Sequence, residues 1–301
     1  MLNFSTLEKL FKENDIFYEK EVSMKNLTSF KIGGRCKFVC YPENFKQLKS
    51  LIIILNKEKI PNFFLGNGSN ILFKDSDFSG VAICSKKLNK ISILKNNKVY
   101  CQSGANLFKL CNFLYLNSLS NLEKLYGIPG TLGGAILMNA GAYGTEIKDF
   151  LYSVSHMDYL GNIYNLKVKE IDFSYRFSSY QKNGFFIISA ILNLKKQNKE
   201  KIKNKMDLIL KKRKEKQPLN FPNAGSIFKR PKGYFAAKLI EECGLKGVEI
   251  GGAKISTKHA GFIVNFNNAT ALDVKNLIEK IKKIVKIKTN VDLKTEIKFI
   301  E

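Results

Sequence analysis

Apolar positions in this chain recur at helical spacing in several separate stretches. Leu7, Leu10 and Phe11 form a short stripe, with Ser5 and Glu8 spaced as a capping box at its start. Phe45, Leu48, Leu51, Ile52 and Leu55 predict a second helix, and Leu107, Leu110, Cys111 and Leu114 a third. Phe235, Ala236, Leu239, Ile240 and Cys243 predict a helix that stops at Gly244. Val274, Leu277, Ile278, Ile281, Ile284 and Val285 predict a longer amphipathic one. Between these lie runs with strand character: 28–41, broken at Gly33-Gly34, then Asn62–Leu65, 91–94 and 99–102. Stretches 152–158 and 163–168 read as a hairpin turning at Gly161-Asn162, and 185–194 as a long apolar strand. Residues 248–256 and 261–266 are strand-like. At the end, Val291, Leu293, Ile297 and Phe299 interleave with charged residues, so that Glu296 falls on the polar side of a half-buried strand.

Helices and strands are mixed along the whole length, which predicts an α+β protein. Residues 195–216 form one dense basic run in which Met206, Leu208, Ile209 and Leu210 are embedded. We read it as a solvated, charged helix leading to Pro218, with a domain boundary near residue 212.

The stretch that does not fit an ordinary helix or strand is Gly127 to Gly144, GIPGTLGGAILMNAGAYG. Glycine inside a helix or strand costs roughly 0.5–1 kcal/mol relative to alanine, so its density here calls for a reason. Either the chain turns and packs tightly, or its backbone approaches a phosphate or pyrophosphate. A second glycine loop, Gly66-Asn67-Gly68-Ser69-Asn70, follows the strand Asn62–Leu65 directly. It is not the dinucleotide fingerprint GxGxxG, because its third glycine position is Ile71.

Composition adds less. An apolar share of 45% over 301 residues predicts a globular chain of two or three domains. No apolar run approaches the roughly 18 residues of a membrane span, and the acidic, amphipathic N-terminus is unlike a signal peptide. The expectation is a cytoplasmic protein. Its six cysteines form no CxxC pair and it has two histidines, so buried free thiols are expected and no metal site. The formal net charge of +24 raises binding to nucleic acid as a second reading. Most of the lysines are dispersed among Asn, Ile and Phe, however, and predict only a general attraction for anionic ligands.

Three polar residues stand out by context. Arg176 lies in an aromatic and hydroxyl cluster, SYRFSSY. Ser226 follows Ala224-Gly225, which leave its hydroxyl open. Glu296 faces the polar side of the last strand. Each also has a bland reading, as surface arginine, turn serine or exposed carboxylate. His259, in STKHAGF, is a possible base but more simply structural. No Ser–His–Asp order or HExxH motif is present.

Taken together the segments resemble the UDP-N-acetylenolpyruvoylglucosamine reductase (UDP-N-acetylmuramate dehydrogenase) family. The resemblance runs through TSFKIGG (28–34), LGNGSN (65–70), the glycine-rich stretch, Tyr175-Arg176, QPLNFPNAGSIFKRP (217–231), residues 236–265 and Thr295-Glu296-Ile297. It covers nearly the whole chain and is with the shorter form of the family, which lacks an inserted substrate-covering loop. The residues Leu27, Asn223 and Glu301 depart from the pattern beside these motifs.

The resemblance implies a vanillyl-oxidase-type (PCMH-type) FAD-binding fold of two subdomains, 1–84 and 85–212, with a C-terminal α+β substrate-binding domain, 213–301. The last few residues would return to the first subdomain. It implies non-covalent FAD, with NADPH as co-substrate, and reduction of UDP-N-acetylenolpyruvoylglucosamine to UDP-N-acetylmuramate in peptidoglycan precursor synthesis. FAD contacts would fall on Leu65, Gly66, Asn67, Gly68, Ser69 and Asn70, and on Gly127, Ile128, Pro129, Gly130, Thr131, Gly133, Gly134 and Ala135. Hydride from the reduced flavin would add to the enolpyruvyl double bond. Arg176 would stabilise the negative charge that develops, Ser226 would protonate the neighbouring carbon, and Glu296 would arrange or protonate the same site. Tyr175, Lys216 and Arg230 would contact the substrate. The oligomeric state is left open, with a monomer slightly favoured. The alternatives are another FAD-dependent oxidoreductase of the same fold, which would react with oxygen, and a basic nucleic-acid-binding protein, which would hold no flavin.

Overall fold

A computed structural model of the chain describes residues 4–301. Its helices are α1 (Phe4–Glu13), α2 (Phe45–Lys57), α3 (Leu107–Leu116), α4 (Leu132–Leu137), α5 (Tyr180–Asn183), α6 (Lys199–Lys216), α7 (Ala236–Glu242) and α8 (Ala271–Thr289). Contacts divide the chain into two compact units. The first joins residues up to 20, 38–67 and 79–211; the second joins 21–37, 68–78 and 212–301. The second unit is thus more than the C-terminal third. Segments 21–37 and 68–78, which the sequence suggests for the first subdomain, are compact with it instead.

The first unit is organised by the strand Phe186–Asn193. It is central in an antiparallel five-stranded sheet, in the order Ile163–Lys167, Leu151–Met157, Phe186–Asn193, Lys98–Gln102, Ile91–Ile93. Its sequence is apolar almost throughout because its two faces serve two cores. Ile187, Ala190 and Leu192 pack with α3, α4 and α6, while Phe186 and Ile188 join the core that α1 and α2 build. That second core is lined by Leu7, Phe11, Leu48, Leu51, Ile52 and Leu55 and by a second sheet. In this sheet Asn62–Leu65 runs parallel to Phe78–Cys84. Ser5 lies inside α1 and does not cap it.

The basic helix α6 differs from its reading as a solvated connection. Ile202, Met206 and Ile209 are buried in the core of the first unit, and Leu208 is half exposed. The three buried side chains are spaced for one helical face, and the lysines take the remainder.

In the second unit α7 and α8 cover one face of a four-stranded antiparallel sheet, in the order Asn223–Ser226, Phe262–Asn265, Ala253–Ile255, Glu249–Ile250. The run 248–256, which reads as one strand, is a hairpin. It folds at Gly251, whose φ is +52°. A Cβ on the next residue, Gly252, would lie 2.1 Å from the Asn267 carbonyl oxygen. Residues 28–34 are likewise not strand; pairing begins at Arg35. The C-terminal strand is shorter than its alternation suggests, Lys298–Ile300, and runs parallel to Ile71–Phe73.

Candidate active site

The two glycine loops meet in the first unit. The Asn67 side-chain amide donates to the Pro129 carbonyl (2.8 Å). A Cβ on Gly66 would come within 2.5 Å of Thr131 Oγ1, so only glycine fits without moving that hydroxyl. Thr131 Oγ1 is itself engaged, accepting from the Gly134 N–H as the N-cap of α4. Gly134 is exposed, and a Cβ there would touch Thr131 Oγ1 at 3.5 Å and no other atom within 4 Å. Gly134 thus leaves its backbone uncovered by side chains, while Gly66 is held tightly against Thr131.

The glycines do not all serve that surface. The Leu132 and Gly133 amides donate to the Ala105 and Ser103 carbonyls (2.9 and 2.8 Å). A Cβ on Gly133 would lie 2.9 Å from Ser103 Cβ. Gly133 is there to let α4 approach its neighbour, which is the packing reading of glycine density. Ile128 and Gly130 likewise donate to Leu125 and Ile128 carbonyls. Gly127 turns the chain at φ +81°, Pro129 is exposed, and Ala135 is buried behind the loop.

The remainder of the first loop belongs to the second unit. Leu65 closes its strand, buried, before the loop begins. Gly68, at φ +61°, lies so close to the Leu27 carbonyl that a Cβ would clash at 2.2 Å. Ser69 is half-buried. Asn70 joins the loop to the C-terminal segment: its amide donates to the Glu296 carbonyl (3.3 Å), and its own carbonyl accepts from the Lys298 N–H (3.0 Å).

Tyr175 and Arg176 form the two-residue turn of a tight hairpin, Phe173–Ser174 with Phe177–Ser178, in the first unit. Arg176 has φ +53°, a conformation costly for a residue with a Cβ. Its guanidinium lies 4.9 Å from the Tyr175 ring centroid and donates to the Gly141 carbonyl (2.8 Å). The arginine thus reaches the far end of the glycine-rich stretch. Tyr175 is 45% exposed and available to a ligand.

Ser226 and Glu296 come together in the second unit. Phe228 and Thr295 form a bridge, and the Glu296 N–H donates to the Ile227 carbonyl (2.7 Å). Ser226 ends its strand opposite Phe262. Gly225 before it turns at φ +77°, with nothing within 4 Å of a Cβ position. The Ser226 hydroxyl has a long bond of 3.4 Å to the Phe228 carbonyl, a weak hold for a group that must turn to another acceptor. Asn223 builds the turn, accepting from the Gly225 N–H (2.9 Å) and donating to Phe221 (2.8 Å). Lys216 is exposed at the end of α6, and Arg230 is exposed with its guanidinium 4.2 Å from the Phe235 ring centroid. A cavity of about 530 Å³ lies beside this part of the chain, walled by Lys214, Phe221, Lys254, Lys258 and Phe266.

His259 is structural in this arrangement. Its Nδ1 accepts from the Gly261 N–H (3.1 Å), its ring meets Phe262 edge-on, and burial holds its pKa below 6.5. Lys298 lies two residues beyond Glu296. Burial depresses its ammonium, and Lys229 adds repulsion.

The sequence model of the UDP-N-acetylenolpyruvoylglucosamine reductase C-terminal domain matches residues 217–300, and that of an FAD binding domain matches 36–167. A UDP-N-acetylenolpyruvoylglucosamine reductase of Clostridium novyi is 45% identical over 294 residues, 98% of this chain and 95% of that protein. The crystal structure of a UDP-N-acetylenolpyruvylglucosamine reductase from Thermus caldophilus superposes with a TM-score of 0.82 at 32% identity, covering 95% of this chain and 100% of that one. Berberine bridge enzyme from Eschscholzia californica shares the fold alone, with a TM-score of 0.52 and 16% identity over 64% of this chain and 44% of that one.

Proposed function

Since the chain belongs to the UDP-N-acetylenolpyruvoylglucosamine reductase family and carries that family's FAD-binding domain, we propose that it reduces UDP-N-acetylenolpyruvoylglucosamine to UDP-N-acetylmuramate with NADPH, using Arg176, Ser226 and Glu296. The observation that carries the residue assignment is the pairing of Ser226 and Glu296 on neighbouring backbone, with a weakly held serine hydroxyl. FAD, when bound, supplies hydride transfer from NADPH to the enolpyruvyl double bond. Its pyrophosphate would lie against the uncovered backbone at Gly134 and the adjoining Gly66-Asn67 loop, and the neighbouring loop residues would complete the contact.

The chain's own side chains manage the charge and the proton. As the double bond is reduced, negative charge builds on the carbon that bears the carboxylate. Arg176 opposes that charge; its guanidinium is already oriented by Gly141 and Tyr175, so little reorganisation is needed. Ser226 Oγ gives its proton to that carbon. A serine is a weak acid, but an enolate is basic enough to take its proton from a positioned hydroxyl. Glu296 arranges the proton donor, and Tyr175, Lys216 and Arg230 hold the sugar nucleotide. The reading includes a cytoplasmic monomer acting in peptidoglycan precursor synthesis, with links to cell shape and division. It is compatible with the finding that no helix among the described residues is long and apolar enough to cross a membrane.

Rapid-mixing kinetics on Ser226→Ala tests the assignment. Flavin reduction by NADPH stays within about twofold of the parent, while reoxidation by the enolpyruvyl sugar falls by roughly 10²–10⁴-fold, the usual scale for a lost general acid. Normal rates in both half-reactions would remove Ser226 from the mechanism.

A further inference from the structure

The turn that carries Tyr175 and Arg176 is held by side chains from outside the hairpin. Two side-chain amides grip the carbonyls on either side of it. Asn139 Nδ2 donates to the Ser174 carbonyl (2.9 Å), just before the turn. Gln181 Nε2 donates to the Arg176 carbonyl (3.1 Å), just after Tyr175. Both are themselves anchored. The other donor of the Asn139 amide meets Glu146 Oε2 (2.8 Å), and Lys148 Nζ lies 3.2 Å from the same oxygen. Gln181 also donates to the Leu137 carbonyl at the end of α4 (2.8 Å), which Ser178 Oγ reaches as well (2.8 Å).

Asn139 is fully buried and has φ +43°; asparagine tolerates this conformation better than most residues. A buried amide in a strained backbone position, spending both donors on a carboxylate and a turn carbonyl, needs a purpose beyond filling space. The turn it grips is also strained, at Arg176. An unsupported two-residue turn would relax, swinging the guanidinium away from Gly141.

We propose that Asn139 and Gln181 act as a positioning clamp for Arg176, fixing where its guanidinium meets the charge that develops on the substrate. Neither residue touches the reacting atoms; both act through the backbone of the turn. The inference rests on the role assigned to Arg176 above. Misplacement of a charged group by an ångström is enough to cost a large share of its effect.

The test is a double-mutant cycle between Gln181→Met and Arg176→Ala, read in separate half-reactions. Gln181→Met keeps the side-chain length and removes the donor, and Asn139→Ser provides a second probe from the opposite side of the turn. The clamp predicts that Gln181→Met leaves FAD affinity and flavin reduction by NADPH unchanged within about twofold, and slows reoxidation by the enolpyruvyl sugar by about tenfold. In the Arg176→Ala background the same change has no further effect, because nothing remains to position. Should Arg176→Ala alone leave reoxidation intact, the role of Arg176 fails and the clamp with it. A slow Arg176→Ala with a harmless Gln181→Met, or with losses that multiply in the double variant, overturns the clamp and leaves Arg176 standing.

Discussion

Backbone strain at the candidate site is what single residues conceal in a sequence. Arg176 and Asn139 both have positive φ, at +53° and +43°. Neither is glycine, so no spacing rule marks them. Arg176 stood out as a candidate from its aromatic and hydroxyl neighbours; Asn139, buried and bonded to the Ser174 carbonyl, did not. Ser226 stood out as a candidate because Gly225 precedes it, and there is open space at that glycine. The glycines themselves divide into two kinds that look alike in sequence: Gly66 and Gly133 permit close packing, while Gly134 leaves backbone uncovered. The difference is testable. Gly66→Ala drives a methyl into Thr131 Oγ1 and displaces the cap of α4, which costs about 1 kcal/mol of stability, and disturbs the loop so that FAD affinity falls. Fluorescence titration with FAD checks it, and unchanged affinity would separate this loop from the cofactor.

Helices were the easiest elements to foresee. In α8 the buried positions Val274, Leu277, Ile278, Ile281 and Val285 follow the helical period, and burying each large side chain contributes about 1.5–3 kcal/mol, well above any propensity term. The central strand Phe186–Asn193 was legible as an apolar run, although its service to two cores was not. Where turns are made by tertiary contact the pattern misled. The 248–256 hairpin depends on the close approach of Gly252 to Asn267, which no local signal carries. The start of α8 shows a similar long-range dependence. Beyond its own Thr270–Asp273 capping box, both oxygens of Asp75 accept from the Ala271 and Leu272 amides (2.7 and 3.1 Å). Asp75→Ala removes that second cap and costs about 1 kcal/mol, seen as a lower urea midpoint with an unchanged slope. A loss as large as that of a buried Leu277→Ala, about 2–5 kcal/mol, would mean that Asp75 holds more than the helix end.

Over the whole molecule, the fold class and family were legible because motif order survives where individual motifs are weak. The division into two units was less so, since 21–37 and 68–78 join the C-terminal part through contacts remote in sequence. Stability as a function of pH belongs at this scale. His156, bonded through Nδ1 to Tyr180 (3.1 Å), and His259 are both held below 6.5 by burial. Near and below pH 6.5 the unfolded chain therefore binds more protons than the folded one, and stability falls as the pH is lowered. Thermal melts between pH 7.5 and 5.5 should show this decline, and it should be shallower in His156→Phe; an identical slope would exclude His156 as a contributor.

The account stands or falls on an anaerobic visible spectrum of the purified, FAD-loaded protein, taken before and after NADPH and again after UDP-N-acetylenolpyruvoylglucosamine. The flavin band is predicted to bleach with NADPH and to return with the sugar nucleotide in the absence of oxygen. A band that returns only when oxygen is admitted, or a protein that takes up no flavin, would contradict it.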